Sequence, residues 1–513
     1  MNDEQIPAAR QAVLAMSPEQ FRDIGHSLVD RLADFLADLP TRSVTSNDTA
    51  AELRALLPAG TIPEHGASAE RLLSDATTLL IDHSLFNGHP RFFGYITAGP
   101  APMGVLAELL AAAINANVGG ATLAPVASAI EEQTVRWIAE LMGYPADCGG
   151  LLVSGGNMAN IVAFFAARRA HADWNLREHG VGKGPPLLVY ASAETHTWLH
   201  KAADLSGIGT DAIRWVPTDN EGRMDTSGLA ARIEADRQAG GQPFLLIGTA
   251  GTVATGAVDP LPELARIARG QRLWFHVDGA YGGVAASLLD TRESSLVPTD
   301  LAGLREADSI ALDPHKWLYA PLEAGCVLVR RAADLLDAFS YKPSYYRFDD
   351  DTEEPLPNYY EYGPQNSRGF RALKVWLQLR HAGRSGYRQM MADDIRLAHQ
   401  LQSRVRDSCV LQPGPGGLSI ATFRYVPQAG PQDHSRDEWL DALNTDLLDR
   451  LQRGGEAFVS NAVINGCFWL RACIVNFRTQ PADIDALVVL VERIGGEIIA
   501  GHQIDNVGEV EGS

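Results

Sequence analysis

Cysteine is scarce in this 513-residue chain. The five cysteines, at 148, 326, 409, 467 and 473, are odd in number and irregular in spacing. None forms a CxxC pair, which argues against a disulfide framework or a zinc site and fits a reducing cytosol. Long apolar runs are also missing. The longest, Gly104 to Ala121, is broken by Glu108, Asn115 and Asn117. It falls short of the ~20 apolar residues a spanning helix needs. The opening residues, MNDEQIPAAR, carry early acids and no apolar core, unlike a secretory leader. Positive charge is in deficit: 43 basic against 63 acidic residues leave −20, with no basic stripe. Nucleic acid and membrane are therefore not expected partners. What remains is an ordinary globular composition, 46% hydrophobic and 21% charged, expected in the cytoplasm.

The length suits about three folding units, or one large unit with satellites. Residues 17–39, SPEQFRDIGHSLVDRLADFLADL, predict a helix with Ser17 as N-cap and Pro18 at its first position. A second helical stretch covers about 68–86. These helices read either as an arm that packs on another subunit or as a flank of the main domain. From about 150, short apolar runs alternate with helical patterns. The runs are LLV (151–153), LLVYAS (187–192), FLLIGTAG (244–251), LWFHVDGA (273–280), SIALD (309–313) and GCVLVR (325–330). Helix periodicity covers 157–171, 227–239 and 261–269. Such alternation implies a largely parallel sheet with helices on both faces and ligands at the C-terminal strand ends. Residues 341–365 read as a long loop, of the kind that often forms a lid. A helical stretch over 369–402 leads to a tail, about 405–500, that reads as a small α+β domain.

The unusual residues fall at those strand ends. In LDPHKWLYAP (312–321), Lys316 follows a strand among aromatics. Desolvation there would make its amine a Schiff-base candidate; a snorkelling lysine is the plain alternative. In FHVDGAYGG (275–283), Asp278 ends an apolar run. Such a carboxylate needs a cationic partner, and a protonated pyridine nitrogen would serve; the alternative is a turn or cap aspartate. In SGGNMANIVAF, glycines open a helix whose free amides could take a phosphate, or simply cap a turn. His196 follows LLVYAS and could stack on a flat ring or be a satisfied structural histidine. Thr252, in TAGTVATGAVDP, could donate to a planar ligand. All these signals converge on one edge of one sheet.

The chain resembles the group II pyridoxal phosphate-dependent decarboxylases, the family of aromatic-L-amino-acid, glutamate and histidine decarboxylases. The likeness runs from SPEQFRDIGHSLVDRLADFL through HPRFFGYITAGPAP, SGGNMANIVAF, HTWLHKAADLSGIG, GTAGTVATGAVDPL, HVDGAYGG and DPHKW to SRGFRALKVWLQLR. It is nearest the bacterial aromatic-amino-acid type. It implies an α/β chain of the aspartate-aminotransferase-like fold type I, with a mostly parallel seven-stranded sheet. The domains would be a dimer-packing helical arm at 1–90, a large cofactor domain at 91–385 and a small α+β domain at 386–513. The cofactor would be pyridoxal 5′-phosphate, the substrate a small molecule, an amino acid, and the assembly a homodimer with active sites at the interface. The implied activity is decarboxylation of an L-amino acid, first of all an aromatic one, to the amine and CO2. Oxidative decarboxylation to an aldehyde, or a non-aromatic substrate, is the alternative, and an inactive cofactor-binding protein a remote one.

The resemblance also implies roles. Lys316 would hold the cofactor as an imine, Asp278 would pair with the ring N–H, and Ala280 would lie under the ring. His196 would stack on the other face and orient the substrate. Gly156, Asn157 and His315 would contact the phosphate, with Ser367 reaching in from the second subunit. Thr252 belongs to the ring-contacting segment, and Tyr95 would line the substrate pocket. Tyr345, or its neighbour Tyr346, would return a proton to the substrate carbon after CO2 leaves. Three departures stand out. Asp313 occupies a place where many relatives have asparagine, Val253 replaces a hydroxyl residue, and VGGATLAP (118–125) is small where aromatic-specific relatives carry Phe and Trp.

Overall fold

The computed structural model describes residues 12–58, 60–341 and 356–510. Tyr345 and Tyr346, with most of the expected lid, lie outside the described residues. The apolar runs form a seven-stranded sheet: β1 (Gly149–Val153), β2 (Leu187–Ser192), β3 (Ile213–Val216), β4 (Gln242–Thr249), β5 (Trp274–Asp278), β6 (Ser309–Leu312) and β7 (Gly325–Val329). The strand order is β1-β7-β6-β5-β4-β2-β3, and only β7 runs against the others. Strands β1, β2, β5, β6 and β7 are buried throughout, as expected where helices cover both faces. Alternation along the strands feeds two cores. Leu188, Tyr190 and Leu246 enter one with the helix Pro125–Met142. Leu187, Val189, Leu245 and Ile247 enter the other with the helix Gly156–His171.

Sequence reading missed β3. Its four residues, IRWV, lie at the sheet edge with Arg214 and Trp215 only half-buried, so no continuous apolar run announces it. The tail forms a second, antiparallel sheet of β8 (Leu411–Pro413), β9 (Ile420–Tyr425), β10 (Ser460–Ile464) and β11 (Cys467–Cys473), ordered β10-β11-β9-β8. Here β8 and β10 were missed, the first for its three-residue length and the second for its mixed polarity. The helix Ala372–Asp407 joins the two sheets and kinks at Gly383. A φ of 66° there suits glycine, the residue with no Cβ to clash.

The first helix, Pro18–Asp38, starts as its sequence predicts. Ser17 Oγ accepts from the Gln20 N–H at 3.1 Å, and Gln20 Oε1 accepts from the Ser17 N–H at 3.0 Å. Arg31 ties it to the helix Ala69–Asp82 through Ser74 and Thr78. None of its residues is buried, and Phe21, Leu72 and Leu80 of this helix pair stand exposed. Among the described residues, no helix is long and apolar enough to cross a membrane.

Candidate active site

The parallel strands end along one edge of the large sheet, and the connections leaving them line a pocket with a cavity volume of about 50 Å³. Asp278 closes β5 inside it. Burial leaves the carboxylate 6% exposed, and both oxygens are held. Oδ2 accepts from the Trp198 indole N–H at 2.7 Å, and Oδ1 accepts from the Ala280 backbone N–H at 3.1 Å. After β6 the chain turns sharply, with the Lys316 N–H donating to the Asp313 carbonyl. That turn carries the Lys316 ammonium to 3.0 Å from Asp313 Oδ2.

Strand β1 delivers the helix Gly156–His171 with its N-terminus at the same place. The first N–H groups of a helix have no intrahelical acceptor, so they form a site for an anion. Glycine is required there by close approach: a Cβ on Gly156 would sit 2.5 Å from Asp313 Oδ2 and 3.1 Å from the Ala280 methyl. His315 flanks this end, 3.5 Å through Cε1 from where a Cβ on Gly155 would lie. Its Nδ1–H donates to the Ala324 carbonyl at 2.7 Å, and burial holds the imidazole below the usual histidine range.

His196 stands at the mouth, after β2. Its Nδ1 accepts from the Trp198 backbone N–H at 3.2 Å, which leaves Nε2 to carry the proton of the neutral ring. Partial burial lowers its pKa, while the nearby Asp278 carboxylate pulls the other way. Deeper in, His276 is clamped between Ser309 Oγ and Asn160 Oδ1, and burial pushes it down to about 4.

Gly156, Asn157, His196, Asp278, Ala280 and Lys316 thus line one pocket. Others do not come to it. Thr252 is buried behind the wall, where its Oγ1 meets Thr255 Oγ1 and accepts from the Ala257 N–H. Its neighbours Gly251 and Val253 form the wall instead. The buried hydroxyl that lines the pocket without a hydrogen-bond partner among the described residues belongs to Thr249. Tyr95 is 61% exposed, and Ile96 lines the pocket in its place. Ser367 is exposed outside its own chain's pocket, beside Arg368, which is buried in an ion pair with Glu131. Sequence reading overlooked Trp198 and Asn160. An aromatic two residues after His196 and an amide one turn inside the helix were the available signals.

An amine, a buried carboxylate, a stackable imidazole and free helix amides fit a planar cofactor that carries a carbonyl, a ring nitrogen and a phosphate. Thr249 Oγ1 and Asp313 Oδ1, buried and without a hydrogen bond among the described residues, with His315 Nδ1 3.6 Å from the latter, mark polar wall that such a group would meet. Comparison with known proteins decides which cofactor. Residues 51–410 match the model of the pyridoxal-dependent decarboxylase conserved domain. The chain belongs to the pyridoxal-dependent decarboxylase family.

Pyridoxal phosphate is the cofactor of this decarboxylase, and loss of CO2 from an L-amino acid its reaction. It is 31% identical to aromatic-L-amino-acid decarboxylase of Bacillus atrophaeus, over 94% of this chain and 97% of that one. It is 30% identical to L-2,4-diaminobutyrate decarboxylase of Rhizobium meliloti, over 94% and 93%. The decarboxylase also superposes on the crystal structure of Oryza sativa TDC with PLP and tryptamine. That match has a TM-score of 0.86, 25% identity, and covers 95% of this chain and 100% of that one.

Proposed function

We propose that this decarboxylase acts on an aromatic L-amino acid, as a cytoplasmic homodimer with active sites at the subunit interface. The observation that carries the reading is the gathering of Lys316, Asp278, His196 and the Gly156 helix start in one pocket. The aromatic choice draws on the Bacillus relative and on the tryptamine in the rice structure. The apolar Ile96 and Val253 on the pocket wall suit it. The dimer is supported by the exposed apolar residues of the N-terminal helices and by Ser367, which lies away from its own pocket. We assign the helical arm to 1–90, the cofactor domain to 91–385 and the small domain to 386–513.

When bound, the pyridoxal ring supplies an electron sink for the pair left on the substrate carbon as CO2 departs. The chain's residues would do the rest. Lys316 would hold the cofactor covalently, and Asp278 would keep a proton on the ring nitrogen. The Gly156 and Asn157 amides, with His315, would hold the phosphate, and Ser367 of one subunit would complete the pocket of the other. His196 would cover the ring face opposite Ala280 and orient the substrate carboxylate. Tyr95 and the Thr252 segment would shape the wall, and Tyr345 would return the proton to carbon.

A second substrate reading rests on Glu194, a carboxylate on the pocket wall. With a net charge of −20, it favours a substrate with a cationic side chain, such as the diaminobutyrate of the Rhizobium relative. Incubating the holoenzyme with tyrosine, tryptophan, phenylalanine, dihydroxyphenylalanine, diaminobutyrate and glutamate tests both. CO2 and amine from the aromatic set support the first reading. Turnover of diaminobutyrate alone supports the second, and aldehyde with hydrogen peroxide and ammonia would overturn the amine product.

A further inference from the structure

Trp198 touches both sides of the pocket. Its backbone N–H donates to His196 Nδ1, and its indole Nε1–H donates to Asp278 Oδ2. The side chain is 1% exposed and stands edge-on to the His276 ring, with centroids 5.8 Å apart and planes at 85°. His276 is pinned in turn by Asn160 and Ser309, so the indole has little room to swing. Trp198 is also the first residue of the helix Trp198–Leu205, which sets its backbone direction.

A carboxylate offers about four lone-pair positions. At Asp278 the Trp198 indole takes one on Oδ2 and the Ala280 N–H takes one on Oδ1. Two donors on two different oxygens fix the plane of the group about its terminal torsion, which is otherwise broad. The remaining lone pairs then face the pocket in one orientation. We propose that Trp198 is a positioning residue for the decarboxylase: its indole N–H sets the rotation of the Asp278 carboxylate that meets the cofactor. This rests on the reading that Asp278 pairs with the ring nitrogen. The same residue's backbone N–H holds His196 Nδ1, so one residue, through its side chain and its backbone, aligns both partners of the ring.

A plain core tryptophan would pack there without acting through Asp278, and a double-mutant cycle separates the two. Trp198→Phe keeps the ring against His276 and removes the N–H. Binding of pyridoxal 5′-phosphate to the apoprotein is measured for Trp198→Phe, Asp278→Ala and the double variant. With Asp278 present, Trp198→Phe is expected to weaken binding about tenfold, the low end for losing a hydrogen bond to a charged group. With Asp278→Ala it is expected to add less than about twofold, since interacting residues are not additive. Equal losses in both backgrounds, or no loss with Asp278 present, overturn the inference. If Asp278→Ala alone binds cofactor normally, the reading of Asp278 itself falls. If Asp278→Ala weakens binding and Trp198→Phe does not, only the role of Trp198 falls. A second measurement needs no change at Trp198. In the holoenzyme, one of the nine tryptophan indole N–H resonances is expected to move upfield on Asp278→Ala. A spectrum in which none moves overturns the proposal.

Discussion

Lys316 Nζ lies 3.0 Å from Asp313 Oδ2, an ion pair inside the pocket that the lysine amine would have to leave to hold the cofactor as proposed. The other oxygen, Asp313 Oδ1, is buried without a hydrogen-bond partner among the described residues. Asp313 also crowds the helix start, where Gly156 leaves it room. On the proposed reading, the carboxylate would hold Lys316 back and oppose an arriving phosphate.

Asp313→Asn should relieve both effects. The variant is expected to take up pyridoxal 5′-phosphate faster at neutral pH and to bind it more tightly, by about three- to tenfold for a partly screened charge at close range. Growth of the imine absorbance after mixing apoprotein with cofactor is the measurement. Slower uptake would show that Asp313 serves the holoenzyme rather than restraining it.

His196 offers a test of sign. Partial burial lowers its pKa and the Asp278 carboxylate raises it. In the apoprotein its ring should titrate below the ordinary histidine midpoint of about 6.5. Asp278→Asn removes the upward pull, so the midpoint should fall further. Histidine ring resonances followed from pH 4 to 8 report both numbers. A midpoint that rises in the variant would mean that another group controls His196.

Gly156 is predicted to tolerate no side chain. A methyl there meets Asp313 Oδ2 at 2.5 Å and Ala280 at 3.1 Å, so the Asp313 carboxylate or the helix start must shift. Gly156→Ala should cost about 1–3 kcal/mol of stability, as overpacking does, and should lose most cofactor affinity. Combining it with Asp313→Ala vacates the nearer contact and should restore part of the stability. Urea melts of the apoproteins check this. A double variant no more stable than Gly156→Ala would place the strain elsewhere.

How much of this was legible depends on distance along the chain. Asp278 and Lys316 could be read because one ends β5 and the other lies in the turn just after β6, each behind a continuous apolar run, and strand ends are where such sheets bind ligands. The Gly156 helix start was legible for the same reason. Thr252 shows the limit: its segment was read as contacting a planar ligand, and its neighbours Gly251 and Val253 line the pocket, but the turn directs its own hydroxyl to Thr255 and leaves Thr249 facing the pocket. A turn's side-chain directions are set by torsions that spacing does not encode. Trp198 was hidden because its partner, Asp278, is 80 residues away. The short strands β3, β8 and β10 escaped because edge position and short length weaken the apolar pattern.

Asp394 carries the last prediction, one on pH. It is fully enclosed, accepting from the Trp317 indole N–H at 2.8 Å and the Tyr319 hydroxyl at 2.7 Å. Those two residues follow Lys316 closely, so Asp394 anchors the lysine's segment to the long helix beyond the Gly383 kink. Burial pushes its pKa up to about 7. Unfolded, an aspartate titrates near about 3.9. The folded state thus prefers the protonated form, and the stability this contributes is complete below about pH 4 and lost as pH rises through about 7. Asp394→Asn keeps an acceptor for the two donors and removes the charge. Its melting temperature relative to the parent protein should therefore climb from pH 4 to about pH 7 and level off above it. A difference that stays flat across that range would mean that the buried carboxylate remains ionised throughout, held by Trp317 and Tyr319.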